Sequence, residues 1–136
     1  MRCRPVDPDG NCLFRAASVA LSGDFDLSRQ HEDESAKRLR SDVVAFMRKN
    51  RASFESFVKD DYADFDEYTE TMRAEKQWGG ELELSAIARL KRRPVHVYTL
   101  ECKQYVLFSQ YPADSDAAAD KISLLFHGRH YDALFE

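Results

Sequence analysis

The chain divides at Pro94. Before it, apolar residues recur at the spacing of one helix face, and after it come short extended runs. Glu81 to Leu90 keeps helical spacing behind the Gly79-Gly80 break, and Pro94 precedes Val95-His-Val-Tyr-Thr-Leu100, a strand. Further strands are expected at Gln104 to Ser109, Ile122 to Phe126 and Arg129 to Leu134, with Ala113 to Asp120 as an exposed loop. Upstream, Cys12 to Leu21 carries Leu13, Ala16, Ala17, Ala20 and Leu21 in an i, i+3, i+4 pattern. Gly23 to Glu34 is polar and reads as a loop. Ser35 to Asn50 sets Ala36, Leu39, Val43, Phe46 and Met47 on one stripe of a longer helix. Arg51 to Asp66 reads as short helices or turns, and Glu67 to Lys76 as another helix. The expected class is α+β, with helices packed around a small C-terminal β-sheet in one domain over residues 1–136.

A chain of 136 residues can bury roughly two-thirds of its unfolded surface without metal or disulfides. No apolar run approaches the ~20 residues of a membrane span, so no membrane is expected as a partner. Met1-Arg-Cys-Arg-Pro5 leads into Asp, Gly and Asn, unlike a signal peptide, which makes a reducing, cytoplasmic setting with access to the nucleus the expectation. The net charge of -4 comes from 24 acidic and 20 basic residues. They are well mixed, so no field is available to hold a phosphate backbone, and nucleic acid is excluded as a partner. The basic clusters at Lys37 to Arg40 and Arg89 to Arg93 are expected on solvated helix faces. Cys3, Cys12 and Cys102 are odd in number and show no CxxC spacing, which argues against a disulfide framework and a zinc ribbon.

Cys12 stands at a seam, because Asp7-Pro-Asp-Gly-Asn11 is a turn and the helix begins at the cysteine. A thiol in the first turn of a helix meets unpaired N–H groups and the positive end of the macrodipole, which favour thiolate. The amides of the Asp9-Gly10-Asn11 turn can face the space above the sulfur, where the oxyanion of a tetrahedral intermediate would form. Gly10 permits both the dihedrals and the close approach. Near the other end, "HGRHYDALFE" offers His130 and Asp132. Residues i and i+2 of a strand share a face, so Asp132 is expected to accept from Nδ1–H of His130 while Nε2 faces the sulfur.

These pieces resemble a family. "DGNCLFRA" (Asp9 to Ala16), "WGGELELSAIA" (Trp78 to Ala88), "PVHVY" (Pro94 to Tyr98) and "HYD" (His130 to Asp132) stand in the order found in ovarian-tumour (OTU) domain deubiquitinases, over nearly the whole chain. The resemblance implies a papain-like OTU fold and a thiol isopeptidase acting on ubiquitin or polyubiquitin as a monomer, without metal or cofactor. It implies Cys12 as nucleophile, His130 as base, Asp132 as orienting acid and Asp9 as the residue that shapes the oxyanion loop of Asp9, Gly10, Asn11 and Cys12. Asn11 is the next candidate for the orienting role. Tyr131 is expected to wall the channel for the substrate tail, Trp78 to be structural, and Glu81 and Glu83 to be solvated or loop-bracing.

Two other functions share these residues: an OTU-fold hydrolase of a ubiquitin-like modifier or small amide, and a module that binds ubiquitin without cutting it. A zinc site drawn from Cys12, His127 and His130 suits the sequence less well than hydrolysis, for want of a fourth ligand. His31 is expected in a loop and His96 in a strand. With eleven residues before Cys12 and six after His130, little is expected in the way of accessory ubiquitin-binding elements.

Overall fold

The computed structural model describes residues 1–58, 61–113 and 120–136; most of the loop expected at Ala113 to Asp120 lies outside them. A five-stranded sheet forms one layer, in the order β1-β5-β4-β2-β3, from β1 (Arg2–Arg4), β2 (Val95–Glu101), β3 (Gln104–Tyr111), β4 (Ile122–His127) and β5 (His130–Phe135). β2 and β4 pair in parallel and the other neighbours are antiparallel. The class is α+β, as the change of period at Pro94 indicates.

β1 was not expected. It pairs Arg2 with Phe135 and Arg4 with Ala133, and three residues are too few to show a strand period. The pairing carries the N-terminus alongside β5 and so brings residues 5–12 next to the last strand.

Helix α1 (Cys12–Ser22) is the central element. Leu13, Phe14, Ala16, Ala17 and Val19 are all fully enclosed, between the sheet and α2 (Arg29–Lys49). Burial of a Leu or Phe contributes roughly 1.5–3 kcal/mol, so this apolar run fixes where the cysteine at its head is held. α2 starts six residues earlier than its apolar stripe suggests. Ser28 Oγ accepts the His31 N–H at 3.2 Å and caps the helix, and buried Glu32 pairs with Arg4 at 2.9 Å and Arg15 at 3.0 Å. The polar segment is helical because its caps and ion pairs are satisfied, and His31 therefore lies in a helix rather than a loop. His96 is on β2, fully buried.

The middle of the chain forms α3 (Arg51–Phe54), a 3-10 turn at Glu55–Phe57, α4 (Phe65–Met72) and α5 (Glu81–Lys91). α4 ends at Met72 rather than Lys76, which leaves residues 73–80 as an irregular strap. Glu83 is buried and its Oε1 accepts the Gly80 N–H at 2.7 Å, bracing the start of α5. Among the described residues no helix is long and apolar enough to cross a membrane.

Candidate active site

The N-terminal pairing and α1 bring the two halves of the expected site together. Cys12 heads α1 and is 1% exposed. The backbone amides of Tyr131 and Leu13 act on its sulfur, so the thiol lies near the peptide that follows His130. Burial pushes the thiol up from its ordinary value; those two amides oppose it, while the Asp9 and Asp132 carboxylates add to it. The helix start was expected to favour thiolate. Enclosure outweighs it here.

The His130 ring stands the other way round from expectation. His130 donates from Nε2 to Asp132 Oδ1 at 2.5 Å, and its Nδ1 is buried without a hydrogen-bond partner. The free nitrogen is therefore Nδ1, because the strand's i, i+2 geometry lets Asp132 reach the far edge of the ring. His127 donates from Nε2 to the other oxygen, Asp132 Oδ2, at 2.9 Å. The Val6 N–H binds Oδ1 at 2.9 Å, and the Cys3 thiol lies 3.8 Å from Oδ2. Burial acts to raise the Asp132 carboxyl, but the Val6 amide and the two imidazoles prevail and hold it below its ordinary value. Burial and the same carboxylate push the Cys3 thiol up to about 11. His127, His130 and Asp132 bring their ligand atoms within 4.8 Å of one another and are the group of described residues able to hold a metal; Cys12 is not among them.

The turn before Cys12 is built from its own side chains. Asp9 Oδ1 accepts the Asn11 N–H at 3.0 Å and Asp9 O accepts the Cys12 N–H at 3.1 Å. Two amides expected to face an oxyanion thus serve the turn in this state, and the Gly10 N–H is left without an acceptor among the described residues. Asp9 Oδ2 lies 3.4 Å from Arg15 Nε, out of line for a hydrogen bond. Gly10 does not have positive φ. It is required by close approach alone: a Cβ there would stand 1.6 Å from the Lys76 carbonyl oxygen. Asn11 does not face His130. Its Oδ1 accepts from Arg40 Nη2 at 2.9 Å and from the Lys76 N–H at 2.8 Å. Arg40, expected on a solvated face, is 3% exposed; Lys37 and Arg38 of the same cluster are on the surface.

A groove of about 750 Å³ runs beside the site, lined by Trp78, Gly79, Gly80, Glu81, Tyr111, Phe126, Arg129 and Tyr131 among others. Tyr131 packs its ring on Phe126 at a centroid distance of 4.9 Å. Gly79 lies against the first turn of α1, where a Cβ would come within 3.3 Å of both Leu13 and Phe14. Trp78, expected to be structural, stands in the wall of this groove. It is 37% exposed, with the Arg129 guanidinium 5.4 Å over its ring. Glu81 is exposed and its carboxylate lies 3.4 Å from the Tyr111 hydroxyl. Arg40, Arg15 and Val6 were missed as neighbours of the site, and His127 was weighed only as a zinc ligand. The place of Arg40 four residues after Ala36, on the apolar side of α2, is the signal that could have found it.

A thiol on the first residue of a helix, an imidazole with one nitrogen unpaired and a buried carboxylate behind it are the parts of a thiol hydrolase. The chain belongs to the OTU-like cysteine protease family, whose family model matches residues 7–132. It is 34% identical over 139 residues to the OVARIAN TUMOR DOMAIN-containing deubiquitinating enzyme 4 of Arabidopsis thaliana, covering 95% of this chain and 41% of that protein. It is 30% identical over 131 residues to enzyme 6 of the same series and organism, covering 94% and 23%. This chain thus spans less than half the length of those relatives. Among solved structures, the OTU domain of OTUD1 superposes with a TM-score of 0.79 at 26% identity, covering 98% of this chain and 85% of that one. An OTU domain solved in complex with ubiquitin shares the fold, with a TM-score of 0.70 at 24% identity over 96% and 67% of the two chains.

Proposed function

We propose that this chain is a deubiquitinating thiol isopeptidase, which cleaves the bond between the ubiquitin C-terminus and a lysine side chain of a protein or of another ubiquitin. The observation that carries the proposal is the unpaired Nδ1 of His130, on a ring held from behind by Asp132, one residue before the Tyr131 amide that acts on the Cys12 thiol. The family, and relatives named as deubiquitinating enzymes, supply the substrate class.

In this proposal Nδ1 of His130 takes the Cys12 proton as the sulfur attacks the carbonyl carbon of the terminal glycine. The carbonyl π bond opens to an oxyanion beside the Asp9 to Cys12 turn. Collapse re-forms the carbonyl and breaks the C–N bond, and the imidazolium gives its proton to the leaving lysine amine. A water, deprotonated by the same imidazole, then attacks the thioester and releases the ubiquitin carboxylate and the thiol. Asp132 keeps the ring in the tautomer that leaves Nδ1 available. Asp9 holds the turn, and Tyr131 and Gly79 border the tail, whose two terminal glycines suit a passage that excludes side chains.

In this proposal the chain acts as one monomeric catalytic domain in the cytoplasm without a cofactor. It is tested by incubating the protein with lysine-linked diubiquitin: release of monoubiquitin by the wild-type chain, undiminished by a chelator and absent in Cys12→Ala, is expected. Cleavage retained in Cys12→Ala rules out the thiol mechanism.

A further inference from the structure

Arg40 comes from α2, and its guanidinium reaches three separate parts of the chain. Nη1 donates to the Met72 carbonyl at 2.9 Å, at the end of α4. Nη2 donates to the Gly10 carbonyl at 3.1 Å and to Asn11 Oδ1 at 2.9 Å. The guanidinium carbon sits 4.4 Å from the centre of the Phe14 ring on α1. The Lys76 N–H completes the Asn11 oxygen, and the Lys76 carbonyl is close enough to forbid any Cβ on Gly10. The turn before the cysteine is therefore clamped between α2 and the strap over residues 72–76, with one buried fork as the fastening.

We propose that Arg40 is a positioning residue for hydrolysis, setting the orientation of the Gly10–Asn11 peptide. This rests on the function proposed above for Cys12 and its turn. A peptide group is rigid and planar, so holding the Gly10 carbonyl away from the site also fixes which way the Asn11 N–H points. That N–H is the one Asp9 accepts. With Arg40 gone, the Gly10, Asn11 and Met72 oxygens lose a shared buried donor, and the turn can rotate about Gly10. Lysine carries a single ammonium in place of the planar fork and cannot cover the same oxygens with the same geometry. The thiol and His130 do not touch Arg40, so the defect falls on stabilisation of the intermediate and leaves sulfur chemistry alone.

The test uses Arg40→Lys. Loss of one oxyanion donor typically costs on the order of a hundredfold in turnover, so kcat on a fluorogenic ubiquitin amide is expected to fall at least about tenfold, with KM and the rate of Cys12 alkylation by iodoacetamide within about twofold. A second readout needs no substrate: hydrogen exchange at the Asn11 and Cys12 amides is expected to quicken at least about tenfold, while amides of the sheet do not change. Unchanged exchange at those two amides overturns the proposal. So does a folded variant whose kcat is unchanged, or one whose alkylation falls in step with turnover. Should Arg40→Lys fail to fold, Asn11→Ala, which removes the oxygen shared by Arg40 and the Lys76 N–H, is expected to show the same signature. In the double mutant the two losses are expected to be less than additive, and full additivity refutes the shared contact. A wild-type chain silent on ubiquitin counts against the deubiquitinase reading alone, and the exchange measurement then decides for or against the clamp.

Discussion

His130 meets Asp132 through Nε2, 2.5 Å from Oδ1, and keeps its Nδ1 buried and unpaired. The same carboxylate accepts from His127 and from the Val6 amide, so Asp132 both holds the His130 ring and ties β5 to the N-terminal segment.

A positioned general base contributes on the order of a hundredfold or more. His130→Ala is therefore expected to lose at least that much kcat/KM, and Asp132→Asn, which keeps a hydrogen-bonding oxygen, to lose less. The check is turnover of a fluorogenic ubiquitin amide. Equal losses for the two variants would mean that the carboxylate does more than orient.

The lowered Asp132 carboxyl also carries a pH signature. Because its folded value lies below the unfolded one, its stabilisation is complete above the ordinary carboxylate value, about 4, and is lost as pH falls through the lower folded value. The melting-temperature gap between wild type and Asp132→Asn should narrow on acidification below about pH 4. A gap that stays constant or widens contradicts the assignment.

For Cys12, enclosure and two neighbouring carboxylates raise the thiol. His130→Ala removes the group proposed to take the thiol's proton and leaves these influences in place. The pH midpoint of iodoacetamide alkylation at Cys12 in that variant is expected above the ordinary value of 9.0. A midpoint well below it would show that the helix terminus alone activates the sulfur.

At Asp9, the carboxylate oxygen that accepts the Asn11 N–H has a counterpart in asparagine and none in alanine. Asp9→Asn is expected to retain more turnover than Asp9→Ala, with alkylation of Cys12 unchanged in both. Gly10→Ala, whose new Cβ would meet the Lys76 carbonyl, should lose turnover at least as severely as Asp9→Ala. Equal damage from Asn and Ala at Asp9 would point to its charge, and so to Arg15 3.4 Å away.

The seam at Cys12, the helix behind it and the strand bearing His130 and Asp132 were legible because each rests on local rules: a turn followed by an apolar period, and an i, i+2 pair. What escaped depends on distant partners. β1 exists because β5 offers an edge, α2 starts early because Arg4 and Arg15 meet Glu32, and the ring nitrogen that Asp132 takes follows from the side chains' approach. Arg40 looked like one more member of a basic surface cluster. Its burial became visible only when the turn at Gly10 was placed against the strap at Lys76.

The central claim, that Cys12 is a nucleophile shaped for a ubiquitin C-terminus, is met most directly by exposing the protein to ubiquitin carrying a C-terminal electrophile and weighing the intact product. The account predicts one ubiquitin added per chain, mapped to Cys12 and absent in Cys12→Ala. An unmodified wild-type chain, or an adduct on Cys3 or Cys102, would contradict it.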